Sequence, residues 1–95
     1  MDIDAWNYEY SEILVKKLKK LKKRNFAQYS IIMKKIDDVK QKATSNPEHY
    51  KNLRYDLSDF KRVHIDKHFV LTFRINKTEK IVSFIDYDHH DNIYG

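Results

Sequence analysis

Five histidines stand in this chain, and four of them lie beyond residue 60: His64, His68, His89 and His90. The first sits in Arg62-Val63-His64-Ile65, the last two in Asp86-Tyr87-Asp88-His89-His90-Asp91-Asn92-Ile93-Tyr94. If Val63 and Ile65 turn inward on a strand, Arg62 and His64 turn outward, together with Thr72 and Arg74 of the next apolar run. Imidazoles and guanidiniums on one open face are the groups that RNA cleavage requires. A base must take the proton of the 2′-hydroxyl, an acid must protonate the departing 5′-oxygen, and positive charge must offset the phosphorane-like transition state. Histidine suits the first two tasks because its ordinary pKa of about 6.5 lies near working pH. Arginine suits the third through its planar fork of donors. On the residues alone, the plainer reading of Arg62, His64 and Arg74 is a solvated outer face, as on any half-exposed sheet.

The tail around His89-His90 admits three readings. Carboxylates flanking two histidines suggest a metal site, but adjacent strand residues face opposite ways and no helically spaced His pair is present. The segment also reads as a solvated acidic tail. The reading we favour is the edge of an active site, with His90 and Tyr94 beside the last strand, where a tyrosine can stack on a base or hydrogen-bond a phosphate. A second basic feature is the run Lys16, Lys17, Lys19, Lys20, Lys22, Lys23, Arg24. Its periodicity is that of a solvated helix face, yet its density suits an RNA backbone or an acidic protein segment equally well. Lys51, Arg54 and Lys61 extend the basic set.

These groups need a scaffold, and hydrophobic periodicity outlines one. Leu14, Leu18 and Leu21 recur at helical spacing after Ser11, and Tyr29, Ile32, Ile36, Val39 and Ala43 form a second stripe that ends at Thr44-Ser45-Asn46-Pro47. The short break at Asn25 predicts an antiparallel helical hairpin. Before it, Trp6-Asn7-Tyr8-Glu9-Tyr10 alternates like a short strand. From about Phe60 the period becomes two, through Arg62–Ile65, Phe69–Ile75 and Ile81–Asp86, with turns at Asp66-Lys67 and Asn76-Lys77-Thr78-Glu79. The predicted fold is α+β: an N-terminal strand, a helical hairpin and a three-stranded antiparallel meander, in one sheet with the helices on one face.

Ninety-five residues predict a single domain spanning 1–95. One glycine and one proline argue against flexible linkers and turn-rich all-β designs, and the absence of cysteine excludes disulfides, thiolate-bound zinc and thiol nucleophiles. No apolar run is long enough to span a membrane, and Met1-Asp2-Ile3-Asp4 lacks the order of a signal peptide, so a cytoplasmic protein is expected. A net charge of +5 suits an anionic partner, nucleic acid or acidic protein, without requiring one.

The element order, with Arg62-Val63-His64-Ile65, Phe69-Val70-Leu71-Thr72-Phe73 and His89-His90-Asp91-Asn92-Ile93-Tyr94, resembles the RelE/ParE superfamily of toxins, in particular its YafQ- and YoeB-like branch. The resemblance begins at the hairpin and continues through Asn46-Pro47-Glu48-His49-Tyr50-Lys51-Asn52-Leu53 to the C-terminus. It implies the toxin of a type II toxin–antitoxin system: a metal-independent, ribosome-dependent mRNA endoribonuclease acting in the ribosomal A site, without a cofactor, and held inactive by a cognate antitoxin. It also implies proton transfer by His64 and His90 and a positioning role for Tyr94; on the residues themselves we read His64 or His68 as base, His90 as acid, with His89 as substitute if the register slips by one, and Arg62 as transition-state charge. Lys51, Arg54, Lys61, Arg74 and His89 are then expected to contact substrate. The chain departs from the pattern at several positions. His68 stands where an acidic residue is usual, and Lys51 where a histidine is usual, with His49 two residues away. Val70 stands where RelE itself has a key arginine, and Tyr55 and Asp59 replace glycines. Two alternatives remain open: a ParE-like toxin that inhibits DNA gyrase without cutting RNA, and a degenerate toxin that only binds its antitoxin.

Overall fold

The structure, a computed structural model, describes residues 5–46, 49–50 and 60–94, with Ile93 and Tyr94 as backbone only. Its elements run β1 (Asn7–Tyr10), α1 (Glu12–Arg24), α2 (Phe26–Ser45), β2 (Phe60–His64), β3 (Phe69–Asn76), β4 (Ile81–His89) and α3 (His90–Tyr94). The α+β arrangement and the helical hairpin are as expected. The strands form one sheet in the order β1-β4-β3-β2, with β1 parallel to β4 and the other neighbours antiparallel.

Both helices begin where a side chain accepts an otherwise orphaned N–H. Ser11 Oγ accepts from Leu14 N at 3.0 Å and Asn25 Oδ1 from Gln28 N at 3.1 Å. Asn25 N also donates to Leu21 O at 2.7 Å, so one residue closes α1 and opens α2. The two leucine and isoleucine stripes are buried as the spacing predicts: Leu14, Leu18 and Leu21 from α1, and Ile32, Ile36, Val39 and Ala43 from α2. They cover one face of the sheet, where Leu71, Phe73, Val82, Phe84 and Tyr87 meet them.

The strand periodicity misses a β-bulge. Thr72 pairs with Asp86 but Phe73 pairs with Phe84, which leaves Ile85 without a partner in β3. The extra residue reverses the alternation of β4: Val82 and Phe84 face the core before it, Tyr87 after it. Without it Asp86 would fall on the core face. Ser11 holds the irregularity in place, since its N donates to Phe84 O at 2.9 Å and its Oγ donates to Ile85 O. Beyond Phe84, β4 has outrun β1, and Lys17 serves the exposed edge. Its Nζ lies 2.9 Å from both Tyr87 O and Asp86 Oδ1. This member of the lysine run is therefore occupied within the fold.

The tail also differs from a plain strand-and-coil ending. β4 continues to His89, and the chain then turns into α3, which packs against β3 and β4. Among the described residues, no helix is long and apolar enough to cross a membrane.

Candidate active site

The β2–β3 turn and the β4–α3 junction meet at one end of the sheet, and they bring the four C-terminal histidines together as two stacked pairs. His64 and His90 have ring centroids 5.3 Å apart with an interplanar angle of 26°. His68 and His89 stack at 5.9 Å and 29°. A backbone hydrogen bond from His90 N to His68 O, 2.6 Å long, ties the junction to the turn.

The turn is held by Asp66. Its Oδ1 accepts from His68 N at 2.8 Å and Phe69 N at 3.1 Å, Gln28 Nε2 reaches Oδ2 at 3.4 Å, and Ile65 N closes onto Phe69 O at 2.8 Å. Burial alone would raise the pKa of this carboxyl. The two backbone N–H groups, the Gln28 amide and the positive charge of His68 outweigh it and hold the pKa below its ordinary value. At the other strand, Asp88 Oδ1 accepts from Asn92 Nδ2 at 3.0 Å and from His89 N at 2.7 Å, which anchors α3. The Asn92 hydrogen bond, against the cost of burial, leads in lowering the Asp88 pKa, helped by His89 N–H and the charges of Lys17 and His89.

The two pairs occupy different surroundings. Register sets His64 opposite Val70 and Val70 opposite Asp88. This row lies on the face away from α1 and α2, since the core-facing residues Val63 and Leu71 alternate with it. Val70 is nevertheless fully buried, so the His64–His90 pair has an aliphatic floor at the position where RelE carries its arginine. Arg62 follows two residues along β2 on the same face, opposite Thr72. His89, by contrast, packs edge-on against Phe69 at 5.5 Å, and Phe69 meets Tyr87 at 6.0 Å. His89 thus borders the core through Phe69, while its side chain is as open as that of His90, 44% exposed against 39%.

Of the residues expected at the site, His64, His90 and Arg62 are brought together, and His68 and His89 stand beside them as a second pair. Arg74 is on the same face, four residues along β3 from Val70, with its guanidinium over the Phe60 ring at 5.4 Å. Lys61 does not join this face. Alternation turns it to the helix side, where its Nζ donates to Tyr50 O at 2.8 Å. Lys51 and Arg54 lie outside the described residues, as do Tyr55 and Asp59. Tyr94 ends α3, with its side chain outside the description.

Sequence reasoning missed Asp91. Its carboxylate lies 3.7 Å from His89 Nδ1 and 3.8 Å from His90 Nδ1, ion-pair distances for a protonated imidazole. The His-His-Asp run contained the signal, but only the helical turn at His90 folds Asp91 back toward both rings. Among the described residues, no cluster of three or more His, Cys, Asp or Glu side chains is placed to hold a metal ion.

The chain is similar to known toxins along almost its whole length. A Methanocaldococcus jannaschii protein named "Putative toxin RelE4" is 51% identical over 89 residues, covering 94% of this chain and 90% of the relative. The metal-bound toxin from Helicobacter pylori superposes with a TM-score of 0.69 at 26% identity, over 95% of this chain and 100% of the other. The Escherichia coli DinJ-YafQ toxin-antitoxin complex matches in fold, with a TM-score of 0.63 at 20% identity over 95% of this chain and 98% of that one. No family model matches. The chain belongs to the RelE/ParE toxin superfamily. It is a RelE-like toxin by family, with a fold that YafQ shares.

Proposed function

We propose that this toxin is a metal-independent mRNA endoribonuclease, acting on ribosome-bound transcripts in the cytoplasm as one domain spanning 1–95. The observation that carries the reading is the stacked His64–His90 pair on an open sheet face beside Arg62. Two imidazoles with centroids 5.3 Å apart are within reach of a single phosphodiester. His64 takes the 2′-hydroxyl proton, and the 2′-oxygen attacks phosphorus. The bond to the 5′-oxygen breaks, and His90 donates the proton that this oxygen needs. The products are a 2′,3′-cyclic phosphate and a 5′-hydroxyl end. Arg62 offsets the charge that builds on the phosphoryl oxygens, and the Asp91 carboxylate lies 3.8 Å from His90 Nδ1. Tyr94 positions the base or phosphate, and His68 is the alternative base. A cognate antitoxin is the second partner, in keeping with the toxin-antitoxin complex among the fold's relatives.

Induced expression followed by primer-extension mapping of cellular transcripts tests the reading. New ends within translated codons, absent with His90→Ala, are expected. Growth arrest with intact transcripts and blocked gyrase supercoiling would replace it with the ParE-like alternative, and no arrest at all with the degenerate one.

A further inference from the structure

The open sheet face does not end at the histidines. Two rows further along, Glu9, Ser83, Arg74 and Phe60 line up across all four strands: Glu9 pairs with Ser83, Ser83 with Arg74, and Arg74 with Phe60. The row lies on the His64 face because Phe60, Arg62 and His64 alternate along β2. It is also occupied by specific contacts. Ser83 Oγ donates to Glu9 Oε2 at 3.2 Å, and the Arg74 guanidinium covers Phe60 at 5.4 Å. Beside it opens a cavity of about 440 Å³, lined among others by Glu9, Arg74, Lys77, Glu79, Ile81 and Ser83.

We infer that this row and cavity form a second RNA subsite, which binds a guanine base a short way along the strand from the scissile phosphate. The inference rests on the RNA-cleaving reading above and adds its base specificity. An aromatic ring with an arginine plane against it, on an open sheet face, is a stacking platform for an unpaired base. The acidic group supplies the choice of base. A carboxylate has about four acceptor positions, and the Ser83 hydroxyl uses one. Guanine is the base whose Watson–Crick edge presents two adjacent donors, the ring N–H and the exocyclic amino group, and a carboxylate accepts both. Lys77 and Arg74 balance the two carboxylates of the lining, Glu9 and Glu79, against the approach of a polyanion. From Phe60 to His64 is four residues of strand, about 13 Å, on the order of two to four nucleotides. One strand of RNA therefore reaches both the platform and the imidazole pair.

The probe is a uridine hexanucleotide carrying a single G, A or C, 2′-O-methylated throughout so that it cannot be cut. Anisotropy gives its affinity, and amide shifts at Ser83 and Arg74 give its location. The G-containing strand is expected to bind roughly 5- to 150-fold more tightly than the A-containing one. Glu9→Gln replaces one acceptor by a donor while keeping an oxygen for Ser83, and it should move the preference from G to A, the base that a primary amide matches. Phe60→Leu should weaken all strands alike. Equal affinity for G and A, or an unchanged order in Glu9→Gln, overturns the inference. A protein that binds G at Ser83 and Arg74 yet cuts no transcript would sink the cleavage reading and leave the subsite standing. One that cuts transcripts but shows no G preference would do the reverse.

Discussion

The two histidine pairs are close in space and alike in geometry, at 5.3 Å and 26° for His64–His90 and 5.9 Å and 29° for His68–His89. What separates them is the company each keeps. His64 projects from an edge strand onto the open face, over a buried Val70 and next to Arg62. His89 lies on Phe69, which itself packs on the core through Tyr87. The four imidazoles are thereby divided, one pair on the open face beside Arg62, the other reaching the Phe69 side of the sheet end through His89. Residue type names the candidates, and the face they occupy selects among them.

The comparison breaks most sharply at His64. His64→Ala should lower the single-turnover cleavage rate by ~10²–10⁴-fold with only a small change in melting temperature, because His64 is an exposed residue at the end of an edge strand whose described ring contact is the stack on His90. Next in size is the bulge that gives β4 its changed alternation. Ser11→Ala removes a helix cap together with the hydrogen bond to Ile85 O, and should cost about 1–2 kcal/mol in denaturant unfolding. His89→Ala should cost ~0.5–1.5 kcal/mol through its edge contact with Phe69, and should leave cleavage within a few-fold of wild type.

The smallest effect is one of pH. The Asp66 carboxyl has a folded pKa below its ordinary value of 3.8, so its contribution to stability is complete above that value and is lost as pH falls through the folded pKa. Acid unfolding followed by circular dichroism should show this loss in the wild-type protein, and Asp66→Asn should flatten it. An unchanged acid limb would mean that the turn does not depend on the ionised carboxylate.

Much of this arrangement is legible in the sequence. Leu14, Leu18 and Leu21, and Ile32, Ile36 and Val39, repeat at spacings that only a helix brings to one face, and all are buried. Strand alternation likewise sets Arg62 with His64, and turns Lys61 away from them. The bulge at Ile85 was not legible, because an inserted residue preserves the local apolar pattern and is fixed by a distant serine 74 positions earlier. The pairing of His64 with His90 was not either. It depends on the short helix after His89, which Asp88 and Asn92 stabilise across the junction by a side-chain contact that no periodicity records. The row of Glu9, Ser83, Arg74 and Phe60 needs the parallel placement of β1 on β4, a long-range choice that the alternation of Asn7–Tyr10 leaves open.

His64–His90, rather than His68–His89, is the pair to which the proposed cleavage assigns the chemistry. Cleavage of ribosome-bound transcripts by purified His90→Ala and His89→Ala, compared side by side with wild type, tests this most directly. Loss of ~10²–10⁴-fold with His90→Ala and a near-wild-type rate with His89→Ala are predicted. A silent His89→Ala variant beside an active His90→Ala variant would contradict the assignment and move the chemistry to the other pair.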